Sequence, residues 1–357
     1  MYQFSTMRYL LHLFSAFLLL VIFSACRTTS YIHIEVLQPA TFQSPANIQS
    51  LAVINRSLIT QPDSIPGDSL FQVENSPEYL YNLASTQAVK SLAGLLNEPP
   101  AKFRVSGEHV LEIPPIDSIL VKRIFHPKDL QDLNHSLQVD GMISLDYISI
   151  DDVVYPKSDL ILMEGIYQTY FFAVIERRIT GLWRFYDMQN HNLLDNFLLK
   201  DTLLFPSPNS VWVVQNALSA MLSDTLFIQS TYEETGYQMG AAYARLIAPA
   251  FFPVSRTYFT GNSRRSKRGG RYLAENDFQK AEQIFRNYTQ HQNNKKAAKA
   301  FHNLALIYEI RGDFNSAIQA VERAGELFNS PVIKAYHQTL LKRAEQKKII
   351  DTQLLLE

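Results

Sequence analysis

Side chains able to do chemistry are scattered thinly through these 357 residues, and the most telling is a single thiol. Cys26 is the only cysteine, and it follows Ser24-Ala25 at the end of the apolar run Leu10–Phe23, with Arg8 ahead of that run. A charge, an apolar stretch and a small-residue site, in that order, make an export signal with a cleavage point. The run of about fourteen residues is shorter than the ~20 that cross a bilayer, and His12 interrupts it. With one cysteine there is no intrachain disulfide, so the fold must rest on its core alone.

The second group with chemical potential is acidic. Asp140, Asp146, Asp151, Asp152 and Asp159 fall within twenty residues, and oxygen ligands at that density suit a hard cation or acid–base work. Their spacing lacks the D-x-D-x-D-G order of a calcium loop, and residues of this kind commonly sit at strand ends. The nine histidines, His33, His109, His126, His135 and His191 among them, form no H-E-x-x-H or H-x-x-E-H group. No G-x-S-x-G elbow, glycine-rich phosphate loop or S-x-x-K occurs. The expectation is a chain without metal, cofactor or catalytic residues. A periplasmic hydrolase or ligand-binding enzyme with its site at residues 140–159 stands as the alternative.

A lone cysteine after Ser-Ala resembles the lipobox of bacterial lipoproteins, with Phe23 where Leu is usual. That resemblance implies that the Cys26 thiol is acylated and becomes the first mature residue. The chain is then expected at the outer membrane, held by lipid. Residues Arg27-Thr28-Thr29-Ser30 carry none of the acidic residues typical of surface-exported lipoproteins, so the expected position faces the periplasm.

The elements that must position these groups are legible in the periodicity. Composition is ordinary for a globular chain, with 46% apolar and 19% charged residues. Residues 1–263 hold 16 Lys and Arg against 24 Asp and Glu, while 264–357 hold 17 against 10. The charge split predicts two modules. Export takes the basic one away from the cytoplasm, so no nucleic-acid partner is expected.

Alternation over Tyr31–Val36 predicts an edge strand, and the apolar run Leu51–Ile54 a buried one. Ser76-Pro77-Glu78 starts a helix that Pro99-Pro100 stops. A second helix follows His126-Pro127 and leads into the strand Gly141–Ile150. Strand–helix–strand order argues α/β layering. The β-rich runs Tyr167–Glu176, Ile179–Tyr186 and Leu194–Leu204 predict an antiparallel meander, followed by a helix capped at Asn209 or Ser210.

The C-terminal part is helical. Glu233–Ala248 carries a stripe of small residues, and Phe251–Phe259 reads as extended. Arg264, Arg265, Lys267, Arg268 and Arg271 read as a solvated charged turn before a helix. An internal repeat follows: NDFQKAEQIF (276–285) recurs as GDFNSAIQAV (312–321), an offset of 36.

Residues 297–328 resemble the tetratricopeptide repeat, a pair of antiparallel helices with a period near 34. Phe301, Leu304, Ala305 and Tyr308 match the first helix, Gly312 the turn, and Ala317, Val321 and Ala324 the inward face of the second. The resemblance implies an inner groove for an extended peptide or partner helix, with Lys299, His302, Asn303, Leu306 and Glu309 facing it. The whole order is also similar to an uncharacterised lipoprotein family of Bacteroidetes. It shares the lipobox, Leu37–Ala40, Val53–Arg56, the D-G-x-I-S-L segment at Asp140–Leu145 and the final helical repeat. That family implies no known activity.

The expected fold is therefore mixed α+β. After a signal peptide at 1–25 comes a sandwich-like α/β domain with an antiparallel meander at 26–230. An all-α tetratricopeptide-like domain follows at 231–357. The expected function is that of a non-catalytic, lipid-anchored scaffold that binds a protein or peptide partner.

Overall fold

The computed structural model describes residues 29–58, 76–101, 103–112, 124–163, 165–208, 210–261 and 263–354. Cys26 and the signal segment lie outside the described residues. The chain divides into two compact units.

The sheet unit spans Pro39–Ala250. Its five strands are β2 (Ser50–Asn55), β3 (Arg104–Glu112), β4 (Gly141–Met163), β5 (Ile166–Asp187) and β6 (Asn192–Pro206), in the order β3-β2-β4-β5-β6. β2 runs parallel to both neighbours, while β4, β5 and β6 form the expected antiparallel meander. β3 leaves little trace in the sequence pattern. Its register on β2 jumps from Leu51↔Val105 to Val53↔Val110, so extra residues break the two-residue period.

Four helices among the described residues serve this sheet. α1 (Pro77–Asn97) starts as the sequence predicts, with Ser76 Oγ accepting from the Tyr79 amide at 3.1 Å. α2 (Pro127–Leu137) begins with Asp129 accepting from the His126 amide at 3.0 Å. α3 (Val214–Leu222) and α4 (Thr225–Ile247) follow the meander. One face of the sheet packs Leu51, Val53, Ile143, Leu145, Trp183 and Phe185 under α1 and α4. The other packs Ala52, Ile54, Met142 and Tyr186 under Leu130 and Leu137 of α2.

Two expectations are corrected here. The helix expected at 233–248 in the C-terminal module is α4, and it lies against α1 in the sheet unit. Its small-residue stripe does permit close approach. A Cβ at Gly236 would stand 2.2 Å from the Ala84 carbonyl oxygen, and one at Gly240 2.3 Å from that of Ala88. The boundary thus falls near 250, not 230. Second, Arg177-Arg178 and Asp151-Asp152 do not end strands. β4 and β5 run unbroken for 23 and 22 residues, because the buried Arg177 is neutralised within the hairpin.

The helical unit contains residues 251–351 together with the N-terminal strand, which the sequence alone assigns to the first module. β1 (Thr29–Gln38) pairs with β7 (Ala250–Phe259) in a two-stranded sheet. Ile32, Tyr258 and Phe259 join the core of the helices, and Arg343 donates to the Leu37 carbonyl at 2.6 Å. The helices are α5 (Arg264–Ala274), α6 (Phe278–Tyr288), α7 (Asn294–Ile310), α8 (Phe314–Leu327) and α9 (Pro331–Leu354).

The basic segment is helix rather than turn. Gly269 and Gly270 do not break it, because Gly269 lets Phe285 approach to where a Cβ would be 2.9 Å away. The repeat is written into local geometry: Asn276 (φ 59°) and Gly312 (φ 75°) take left-handed conformations 36 residues apart. The next residues, Asp277 and Asp313, cap α6 and α8.

Candidate functional site

The five residues expected to face a free groove are the first to place. Asn303 Nδ2 donates to the Phe259 carbonyl at 2.7 Å, and its Oδ1 accepts from the Phe259 amide at 2.8 Å. His302 Nε2 lies 2.9 Å from the Thr257 carbonyl oxygen, with its ring against Phe259 and Tyr336. Glu309 takes Arg256 through a fork at 2.8 and 3.0 Å and accepts from the Tyr336 hydroxyl at 2.7 Å. Leu306 is fully buried. Four of the five are therefore spent on the chain's own strand and core, so the expectation that they line an open groove is corrected. The physical reason is strand β7, whose backbone fills the position a peptide would take.

Burial pushes the His302 imidazole down to about 4, opposed by its bond to Thr257. Tyr336 is driven well above its ordinary range by burial, with the Glu309 charge adding to it. Lys299 alone remains partly open, at a cavity, with its ammonium 5.1 Å from the centre of the Phe259 ring.

The positions matched to the helical repeat sit where a packed hairpin needs them. Leu304, Ala305, Ala317, Val321 and Ala324 are buried, and Phe301 and Tyr308 pack half-buried against them. Gly312 makes the α7–α8 turn.

The acidic region resolves into separate ion pairs and caps. Asp140 Oδ2 accepts from the Ser50 amide and hydroxyl at 2.9 and 2.7 Å and from the Gln49 amide at 3.2 Å. Those bonds hold its carboxyl below the usual range despite partial burial. Asp146 is fully buried between Arg56, at 3.1 Å, and Arg184. Burial pushes its carboxyl upward while the two guanidinium groups pull it back. Asp152 meets the buried Arg177 through two bonds of 2.7 Å, and Arg177 stacks 3.6 Å above the Tyr232 ring. Asp151 and Asp159 are exposed on one strand. No cluster of His, Cys, Asp or Glu able to hold a metal occurs among the described residues.

One surface escapes a reading of periodicity. The end of the β4–β5 hairpin exposes Leu160, Leu162, Ile166 and Tyr167, each 57–69% accessible, around Gly165 at φ 81°. Leu162 lies opposite Tyr167 and Met163 opposite Ile166, so both faces of the ribbon end are apolar. A sheet ordinarily wets polar residues on its outer face, so these unburied leucines set the ribbon end apart from the rest of the sheet. The run Leu160–Met163 was the available signal in the sequence, continuous where a half-exposed strand should alternate.

The sequence profile of a domain of unknown function, DUF8603, matches residues 48–259, more than half of the chain. The chain belongs to the DUF8603 family. Its matched region takes in the whole sheet and β7. A second domain of unknown function, DUF6340, matches residues 267–347 in the helices. No curated protein matches the chain.

Among solved structures, the PelC dodecamer from Paraburkholderia phytofirmans is similar at 11% identity, covering 61% of this chain and 99% of that one, with a TM-score of 0.25. A homolog of a neuraminyllactose-binding hemagglutinin from Helicobacter pylori is similar at 10% identity. There the match covers 57% of this DUF8603 chain and 92% of the other, with a TM-score of 0.24.

Proposed function

We propose that this chain is a non-catalytic lipoprotein of the bacterial cell envelope, anchored by acyl chains on Cys26 to the outer membrane and facing the periplasm. Its work is to bind another protein. The order of charge, apolar run, small residues and single cysteine supports the anchor. The duplicated turn and cap at 276–277 and 312–313 support a tetratricopeptide-like reading of α5–α8, in keeping with a lipoprotein family of Bacteroidetes.

The observation that carries the binding function is the apolar end of the β4–β5 hairpin. The docking surface is that ribbon end, not the helical groove. Its occupant is a protein rather than lipid, because Asp159 stands on β4 directly behind the apolar residues. A carboxylate beside the tip opposes insertion among anionic lipids. Against the enzyme alternative, Asp140, Asp146 and Asp152 are each committed to a structural partner, so these three do not converge as a catalytic pair.

The test uses the absence of other cysteines. Leu162→Cys in the anchored protein, treated with a thiol-reactive photocrosslinker in isolated envelopes, should give one discrete protein adduct. Leu160→Asp with Ile166→Asp should abolish it while leaving thermal unfolding unchanged. An adduct of twice the chain mass makes the partner a second copy. No adduct above that of an Asp151→Cys control, or flotation of the lipid-free protein with zwitterionic vesicles through this tip, would overturn the reading.

A further inference from the structure

The helical unit holds a cavity of about 540 Å³ whose walls join two chemistries. One is cationic: Lys295, Lys296 and Lys299 line it, and the lining contains no Asp or Glu. No acidic side chain pairs with any of the three lysines among the described residues. The other is apolar, from Phe259, Phe285 and Phe328.

Three lysine charges within five residues, with no carboxylate in the lining, are costly to hold together unless an anion joins them. The cost is visible at Lys299, whose ammonium is pushed down by burial and then by Lys295. Two ammonium groups already rest near aromatic rings, Lys295 at 5.0 Å from the Phe328 centroid and Lys299 at 5.1 Å from that of Phe259. The head of a ligand meeting these lysines would thus have aromatic carbon directly behind it. The cavity wall also includes the capping residues of two helices, Ser263 of α5 and Asn293 of α7, so backbone dipoles add to the positive field. The size falls in the range that encloses a small organic molecule, well above the need of a bare ion.

The location narrows the source. Thr29 lines the same cavity, and only Arg27 and Thr28 separate it from Cys26. Three residues of chain span at most about 11 Å. An acylated Cys26 would keep this end of the helical unit at the membrane surface, a step that rests on the anchor proposed above.

We propose that this cavity is a binding site for the anionic head and proximal chain of a membrane amphiphile. Its phosphate or carboxylate would lie on Lys295, Lys296 and Lys299 and its hydrocarbon on Phe259, Phe285 and Phe328. Two attachments to one membrane, a covalent one at Cys26 and a reversible one here, would fix how the helical unit stands on the bilayer.

The experiment uses the mature chain with Cys26→Ser, free in solution, so that its outcome is independent of acylation. Isothermal titration with dihexanoyl phosphatidylglycerol, below its micelle concentration, should show saturable binding. Lys295→Glu with Lys299→Glu should weaken it at least tenfold, while Lys342→Glu on the exposed face of α9 should not. Dihexanoyl phosphatidylcholine should bind at least tenfold more weakly, and so should inorganic phosphate. Equal binding of the zwitterionic lipid, equal binding of phosphate alone, or an undiminished double variant would each overturn the proposal. The anchor itself is judged separately, by whether wild-type chain in fractionated cells carries acyl mass on Cys26.

Discussion

The side chain of Asn303 holds both backbone groups of Phe259, donating to its carbonyl at 2.7 Å and accepting from its amide at 2.8 Å. A side-chain amide has the donor and acceptor spacing of a peptide group, so Asn303 acts as one residue of a strand paired with β7. That bond fixes the strand on the helices and decides what the helical groove holds.

Removing it should therefore cost stability rather than partner binding. Asn303→Leu leaves a buried N–H and a buried C=O without partners, at ~1–3 kcal/mol each. Chemical denaturation should show a loss of about 3 kcal/mol, with the crosslinked adduct at Leu162→Cys retained.

The neutral burial of His302 predicts a pH dependence. The unfolded imidazole takes up a proton near pH 6.5, while the folded one resists until about 4. Stability from the neutral ring is thus complete above pH 6.5 and is lost as pH falls from there toward 4, by roughly 3 kcal/mol in all. Thermal unfolding scans across that window should fall more steeply for wild type than for His302→Gln, whose side chain does not titrate.

Aspartates close in sequence should separate sharply. Asp146→Ala removes the buried carboxylate that Arg56 and Arg184 share and should cost ~3–5 kcal/mol. Asp151→Ala, on an exposed strand position, should stay within about 0.5 kcal/mol. Equilibrium unfolding of the two variants is the measurement. The sequence alone offers the two as equivalent members of an acidic cluster.

The helix pair α1–α4 gives a fourth test. Gly240→Ala gains helix propensity of about 1 kcal/mol, yet its Cβ would stand 2.1 Å from Ser91 Oγ and 2.3 Å from the Ala88 carbonyl oxygen. The backbone oxygen cannot swing away, so overpacking of ~1–3 kcal/mol should win. Gly94→Ala, with nothing within 4 Å, should instead stabilise α1. Melting temperatures of the two variants should move in opposite directions.

What the sequence determined by itself is what depends on neighbours along the chain. Ser76-Pro77 set the start of α1, the run Leu51–Ile54 made a doubly covered strand, and the repeated Asp-Phe pair after Asn276 and Gly312 set two helix turns. Each rests on backbone preference or side-chain period within a few residues. Tertiary structure decided which surfaces stay free. His302, Asn303 and Glu309 carry the polar look of a groove, but their partners lie 45, 44 and 53 residues away on β7. Asp146 looks like its acidic neighbours until Arg56 and Arg184 arrive from 90 and 38 residues off. Polarity is a local property of a residue. Whether that polarity meets solvent, a ligand or another part of the same chain is set by long-range packing, which periodicity does not encode.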